Sequence, residues 1–143
     1  MCSGIFAADS EAGDTMLQAL AEWHEIVKSG DPSRLDALLA EDCVFWSPVV
    51  HRPQEGRDLT RMYLTGAMAV FNDSFRYVKE VVAEPHAVLE FTCDIDGITV
   101  NGVDIITFNA DGKIVEFKVM VRPLKGINLL HAKMAAMLEQ LSA

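Results

Sequence analysis

The stretch Gly102-Val103-Asp104-Ile105-Ile106-Thr107-Phe108-Asn109-Ala110-Asp111-Gly112-Lys113-Ile114-Val115-Glu116-Phe117-Lys118-Val119 reads as one β-hairpin, and the rest of the chain is placed relative to it. Ala110-Asp111-Gly112 fits a three-residue turn with Gly112 in the left-handed position. Asn109 then opposes Lys113, and Asp104 opposes Lys118. The competing register sets Asp104 beside Glu116, a like-charge pair that opposed strands avoid. The chosen register gathers Val103, Ile105 and Thr107 with Val115, Phe117, Val119 and Val121 on the core face.

Upstream, residues 86–95 alternate in the same way. Ala87, Leu89, Phe91, Cys93 and Ile95 share one face, against His86, Val88, Glu90, Thr92 and Asp94 on the other. Asp96-Gly97 is a two-residue turn signal that sends Ile98 and Val100 inward. Odd positions further along the same strand must also face inward, so the strand needs one extra residue. Asn101-Gly102 is the predicted bulge. A bulge bends a sheet, and a bent sheet with helices inside its curve encloses a pocket.

Four strands are expected, at 75–84, 86–95, 98–109 and 113–122, with a further one at 43–47. A helix from Gly13 to Gly30 carries Met16, Leu20, Trp23 and Val27 on one stripe. Asp31-Pro32 opens a short helix over 33–40. Gly56 to Phe71 is a third helix, with Leu59, Met62, Tyr63, Gly66 and Val70 predicted inward. Gly126 to Leu141 is a fourth. Contiguous, hairpin-linked strands with helices to one side give an α+β fold with a mostly antiparallel sheet. Residues 1–12 are expected to be frayed and 13–143 to form one domain.

Composition excludes several classes. Half of the 143 residues are hydrophobic, which argues against disorder as the main state. The net charge is −9, and no basic stripe interrupts it, so no nucleic-acid partner is expected. No apolar run is long enough for a membrane span. The opening residues lack a basic and then apolar leader, so no secretory signal is expected. Cys2, Cys43 and Cys93 make no paired framework and read as reduced thiols of a cytoplasmic protein. The four histidines show no metal-ligand spacing, and no metal or other cofactor is expected.

Several segments together carry a resemblance. They are Gly30-Asp31 between two helices, Glu41-Asp42-Cys43-Val44-Phe45-Trp46-Ser47-Pro48 at the first strand, Glu55-Gly56-Arg57-Asp58 opening the third helix, and Gly102 through Ile114 across the hairpin. In that order they resemble the nuclear transport factor 2-like superfamily and its SnoaL-like, polyketide cyclase-like branch. The resemblance covers nearly all of the chain after residue 12. It implies a cone-shaped fold, with a highly curved sheet and helices enclosing a pocket, usually in a homodimer. It implies no single activity, since members include isomerases, dehydratases, epoxide hydrolases, cyclases and carriers.

Three positions used by steroid isomerases of the superfamily fall, by that resemblance, on Trp23, Ser47 and Asn101. A last-strand aspartate of related hydrolases falls on Val119. None of these residues supplies the family's carboxylate, so the known isomerisation route is not expected here. A wall of Phe45, Phe91, Val103, Phe117 and Val119 with Trp23, Ser47, Tyr63 and Asn101 suits a small apolar ligand bearing an oxygen. Two residues stand as candidate catalysts. Asp104 is an outward ion-pair partner of Lys118 in the register above, and a general base only if the bulge lies beyond it. His51, in the loop after the first strand, is either at the pocket mouth or a surface histidine.

The expected function is thus a small-molecule-binding domain, with an enzyme of isomerase, dehydratase or cyclase type as the alternative. A homodimer is expected to cover apolar side chains on the outer sheet face, assigned to Ile106, Phe108, Ile114 and Met120. Trp46 is expected to point outward.

Overall fold

In the computed structural model, backbone is described for residues 3–142 and side chains for residues 13–141. The expected fraying of residues 1–12, and Cys2, lie outside the residues whose side chains are described. The elements are α1 (Ser3–Ser29), a 3-10 turn (Pro32–Arg34), α2 (Leu35–Leu38), β1 (Leu39–Trp46), β2 (Gln54–Glu55), α3 (Arg57–Val70), β3 (Arg76–Ala83), β4 (His86–Ile95), β5 (Ile98–Phe108), β6 (Ile114–Arg122) and α4 (Leu124–Ser142). One sheet runs β2-β1-β6-β5-β4-β3. Only β1 and β6 pair in parallel. The sheet is curved without closing, and the helices pack inside the curve.

The helix stripes follow from spacing. Met16, Leu20 and Trp23 of α1 are buried, joined by Ala19 and Ile26. The second helix is shorter than expected. Asp31 caps the 3-10 turn through its side chain, which accepts from Ser33 N. The chain turns extended at Leu39, since Leu39 and Ala40 bury themselves in β1 beside Ile114 rather than on a helix. In α3 the inward face is rotated. Thr60, Leu64 and Gly66 are buried, whereas Leu59 is 37% exposed. Thr60 tolerates burial because its hydroxyl donates to the Gly56 carbonyl at 2.9 Å.

The decisive hairpin has the expected turn and a different register below it. Asn109 N donates to the Lys113 carbonyl at 2.8 Å, and Gly112 has φ 77°. The Asn109 side chain accepts from Asp111 N and Lys113 N. Beneath the turn, Phe108 pairs with Ile114 but Thr107 pairs with Glu116. Val115 is therefore the extra residue, a bulge in β6. Asp104 consequently pairs with Val119, not Lys118. The β4–β5 pairing is unbroken from His86–Thr107 to Ile95–Ile98, so the expected bulge at Asn101-Gly102 is absent.

The misplaced extra residue turns over the β5 side chains from Val103 onward relative to expectation, whereas Ile98 and Val100 stay on the inner face expected of them. Val100, Gly102, Asp104, Ile106 and Phe108 are buried on the inner face. Asn101, Val103, Ile105 and Thr107 lie on the outer one, so Ile106 and Phe108 do not belong to an outer apolar patch. Ile114 is buried as well. Of the four residues assigned to that patch, only Met120 is exposed, at 53%. Trp46 does face outward, donating from Nε1 to Glu116 Oε2 at 3.1 Å with the Lys118 ammonium over its ring.

Gly102 has a role of its own. A Cβ there would sit 2.5 Å from Phe91 Cζ and 2.5 Å from the Met120 carbonyl oxygen. Its missing side chain lets the Phe91 ring lie across β5, facing into the cone.

Candidate functional site

The cone encloses a cavity of about 270 Å³. Most of its wall is aromatic or aliphatic, and each element contributes by its inward parity. Trp23 and Val27 come from α1, Phe45 from β1, and Tyr63, Leu64, Ala67 and Met68 from α3. Phe91, Phe117 and Val119 form the floor on the sheet. Phe71, Phe75 and Tyr77, and Leu130, His131, Met134 and Leu138 of α4, complete the wall, with Leu130 in the same apolar cluster as Phe71, Phe75 and Tyr77. The rings hold one another. Trp23 meets Phe117 edge-on at 4.9 Å, Tyr63 stacks on Phe45 at 5.1 Å, and Phe75 stacks on Phe91 at 5.2 Å.

Into this wall the altered register brings one carboxyl group. Asp104 is 6% exposed and lines the cavity. Its Oδ2 accepts a hydrogen bond from the Tyr77 hydroxyl at 2.6 Å. That hydroxyl oxygen in turn accepts from Trp23 Nε1 at 3.0 Å. An indole nitrogen is a donor only, so it fixes the direction of the chain: indole to phenol to carboxyl. Burial raises the Asp104 pKa to about 7, against the smaller opposite pull of the Tyr77 hydrogen bond. Burial, and then the Asp104 charge, push the Tyr77 phenol well above its ordinary value, so it stays a donor.

The sequence-derived site is thus divided. Trp23, Phe45, Ser47, Tyr63, Phe91, Phe117 and Val119 line the cavity. Asn101 and Val103 do not. The Asn101 amide donates to the Phe91 carbonyl and to Glu90 Oε2, and its Oδ1 accepts from Arg122 Nε, all on the outer face. Asp104 is corrected in the opposite sense, from outward ion pair to inward carboxyl. Ser47 reaches the cavity, but its Oγ accepts from Val49 N and Val50 N and so holds the loop. His51 is exposed and takes no part in the wall.

Sequence reasoning missed Tyr77. Its strand, β3, lies at the sheet edge and shows no alternation of burial, and a register shift falls between Tyr77 and Lys79. The available signal was pairing: Tyr77 stands opposite Phe91, an inward residue. Among the described residues no group of three or more His, Cys, Asp or Glu is placed to hold a metal, and no helix is long and apolar enough to cross a membrane. Cys43 and Cys93 are buried free thiols.

A curved sheet closed by helices around such a chamber is the cone of the nuclear transport factor 2-like superfamily, and solved structures agree. Within it, the SnoaL-like domain model matches residues 20–117, and the chain belongs to that family. A structure of a steroid delta-isomerase from Pseudomonas aeruginosa is 37% identical, covers 90% of this chain and 96% of its own, and has a TM-score of 0.86. A bacterial protein of cystatin-like fold from Silicibacter pomeroyi is 36% identical over 82% of this chain and 83% of its own, with a TM-score of 0.77. The epoxide hydrolase/cyclase-like enzyme SalBIII, 19% identical over 78% of this chain and 94% of its own at a TM-score of 0.63, shares the fold. No curated protein matches the chain in sequence.

Proposed function

We propose that the cavity binds a small, largely apolar molecule bearing an oxygen and that Asp104 moves a proton on it, as in an isomerase. The observation that carries this reading is an inward carboxyl group, set in an aromatic wall, whose pKa of about 7 suits it both to take and to return a proton. Likeness to a steroid delta-isomerase at 37% identity supports the reaction class. The carboxyl at work here is not at any position the resemblance pointed to.

In this scheme Asp104 Oδ1 removes a proton from the carbon beside a carbonyl. The C–H pair becomes the new double bond, and negative charge moves to the carbonyl oxygen. The same proton then returns one double bond further along, leaving a conjugated ketone and no net redox change. Tyr77 keeps its proton throughout and holds Oδ2. The Tyr63 hydroxyl is the cavity donor assigned to the carbonyl oxygen. The apolar wall excludes water, which strengthens both interactions. A second copy of the chain on the outer sheet face belongs to the same proposal. It is supported by exposed Val81 and Met120 and half-buried Val103 and Ile105 on that face.

The test is conversion of a β,γ-unsaturated cyclic ketone, small or steroidal, to its conjugated isomer, followed by ultraviolet absorbance. Turnover that is lost in Asp104→Asn, with ligand binding retained, supports the proposal. Binding without turnover in the native protein refutes proton transfer and leaves a carrier of apolar ligands.

A further inference from the structure

Most polar side chains in the cavity wall already have partners. Trp23 Nε1 donates to Tyr77, and the Tyr77 hydroxyl donates to Asp104 Oδ2. The Ser47 oxygen accepts from Val49 N at 3.1 Å. The Asn72 amide donates to the Asp94 carbonyl at 2.8 Å, and its oxygen accepts from Ser74 N at 2.9 Å. Left without a hydrogen-bond partner among the described residues are Asp104 Oδ1, the Tyr63 hydroxyl and the His131 imidazole. The first two have roles in the scheme above. His131 has none.

His131 also stands apart from the other histidines. His24 is bound to Glu80 and His86 to Thr107, and His51 lies outside the wall. His131 lines the cavity and is exposed, so it stands where the chamber meets solvent. Helix spacing fixes its place on α4. Leu130, Met134 and Leu138 recur every four residues along the lining face, with His131 and Ala135 beside them. Met134 and Leu138 pack at Gly66 of α3, where a Cβ would meet Met134 Cε at 3.2 Å and Leu138 Cδ2 at 3.6 Å. Tyr63 is one turn from Gly66 and stacks on Phe45 of β1. His131 is one turn from Met134, away from Leu138, and adjoins Leu130, which packs with Phe91 and Val100 of β4 and β5. In the sheet β1 and β4 are three strand spacings apart, about 14 Å. Tyr63 and His131 thus serve different parts of one apolar chamber.

We propose that His131 is a specificity-determining residue, its imidazole N–H donating to a second oxygen of the ligand, so that the preferred ligand is an elongated apolar ketone with an oxygen function at each end. The inference rests on the ligand-binding half of the function proposed above. It adds the group that chooses among ketones and sets which end lies toward Asp104. A neutral imidazole always carries one N–H, which suits a carbonyl or ether oxygen that can only accept.

The test uses androstenedione, a rigid conjugated diketone with a carbonyl at each end, and the same steroid without the ketone on its five-membered ring. Both are already conjugated, so binding is read by equilibrium dialysis without turnover. The diketone is expected to bind the native protein about fivefold more tightly, the net worth of one hydrogen bond. In His131→Phe the two affinities are expected to converge, through weakening of the diketone alone. His131→Gln keeps an N–H donor and is expected to keep most of the preference. Because His131 is exposed, these variants leave the core untouched. The preference is expected to persist in Asp104→Asn, so loss of the proton-transfer reading does not remove it. Equal affinities in the native protein, or a preference that survives His131→Phe, overturn the inference while leaving a ligand-binding cavity in place. Failure of both steroids to bind overturns the ligand-binding reading and the inference with it.

Discussion

Replacing Asp104 with Asn is expected to stabilise this protein at alkaline pH while abolishing its proposed chemistry. Asp104 has an ordinary pKa of 3.8 and a folded-state value of about 7. A carboxyl whose pKa is raised on folding binds its proton more tightly in the folded chain. Its contribution is therefore intact below about pH 4 and is lost progressively as pH rises to about 7. At about 1.4 kcal/mol per unit, the loss above pH 7 amounts to about 4 kcal/mol for a group so fully buried. Asn keeps the acceptor oxygen for Tyr77 and carries no charge to bury. Urea unfolding of both proteins across pH 4 to 8 measures the difference directly. The native protein should fall in stability relative to Asp104→Asn as pH rises, with the variant the more stable at about pH 8 by a few kcal/mol. A difference that does not change with pH would refute the buried, uncompensated carboxyl, and so would a variant that is less stable throughout.

Tyr77→Phe removes the donor to Asp104 Oδ2. With about 1.5–3 kcal/mol lost from a hydrogen bond to a charged group, the Asp104 pKa should rise by a further one to two units, read by carboxyl carbon NMR. Val119→Asp sets a second carboxyl directly across from Asp104. It should cost about 3 kcal/mol or more at pH 8 and much less at pH 5, as judged by denaturant midpoints. Gly102→Ala drives a methyl into the Phe91 ring and the Met120 carbonyl, and should cost about 1–3 kcal/mol by the same measurement. Met120→Asp on the outer sheet face should shift sedimentation toward monomer if two copies pair there, without altering ligand binding.

Much of the architecture was legible because its signals were local. Alternation located β4 to its end residues, and Ala110-Asp111-Gly112 and Asp96-Gly97 set two of the three hairpin turns correctly. The cavity's aromatic walls followed from parity in β1, β4 and β6. The failure in β5 has a specific cause. Ile114, Val115 and Phe117 are all apolar, so residue type does not distinguish unbroken alternation through Val115 from a bulge there. The Asp104–Lys118 charge match then favoured the wrong register. Only the continuous β4–β5 ladder, a long-range feature, decides between them, and it carries Asp104 inward. Gly102 accommodates the Phe91 ring rather than marking a bulge. Tyr77 stayed hidden because an edge strand, exposed along most of its length, has no burial pattern to read.

That Asp104 stands protonatable near neutrality inside the cone is tested by its own titration. Carboxyl carbon NMR of aspartate-labelled protein, with the resonance assigned through Asp104→Asn, follows that single group with pH. An inflection near 7 is expected. An inflection near the ordinary value of 3.8 would contradict it, returning Asp104 to solvent and leaving the cavity without its acid.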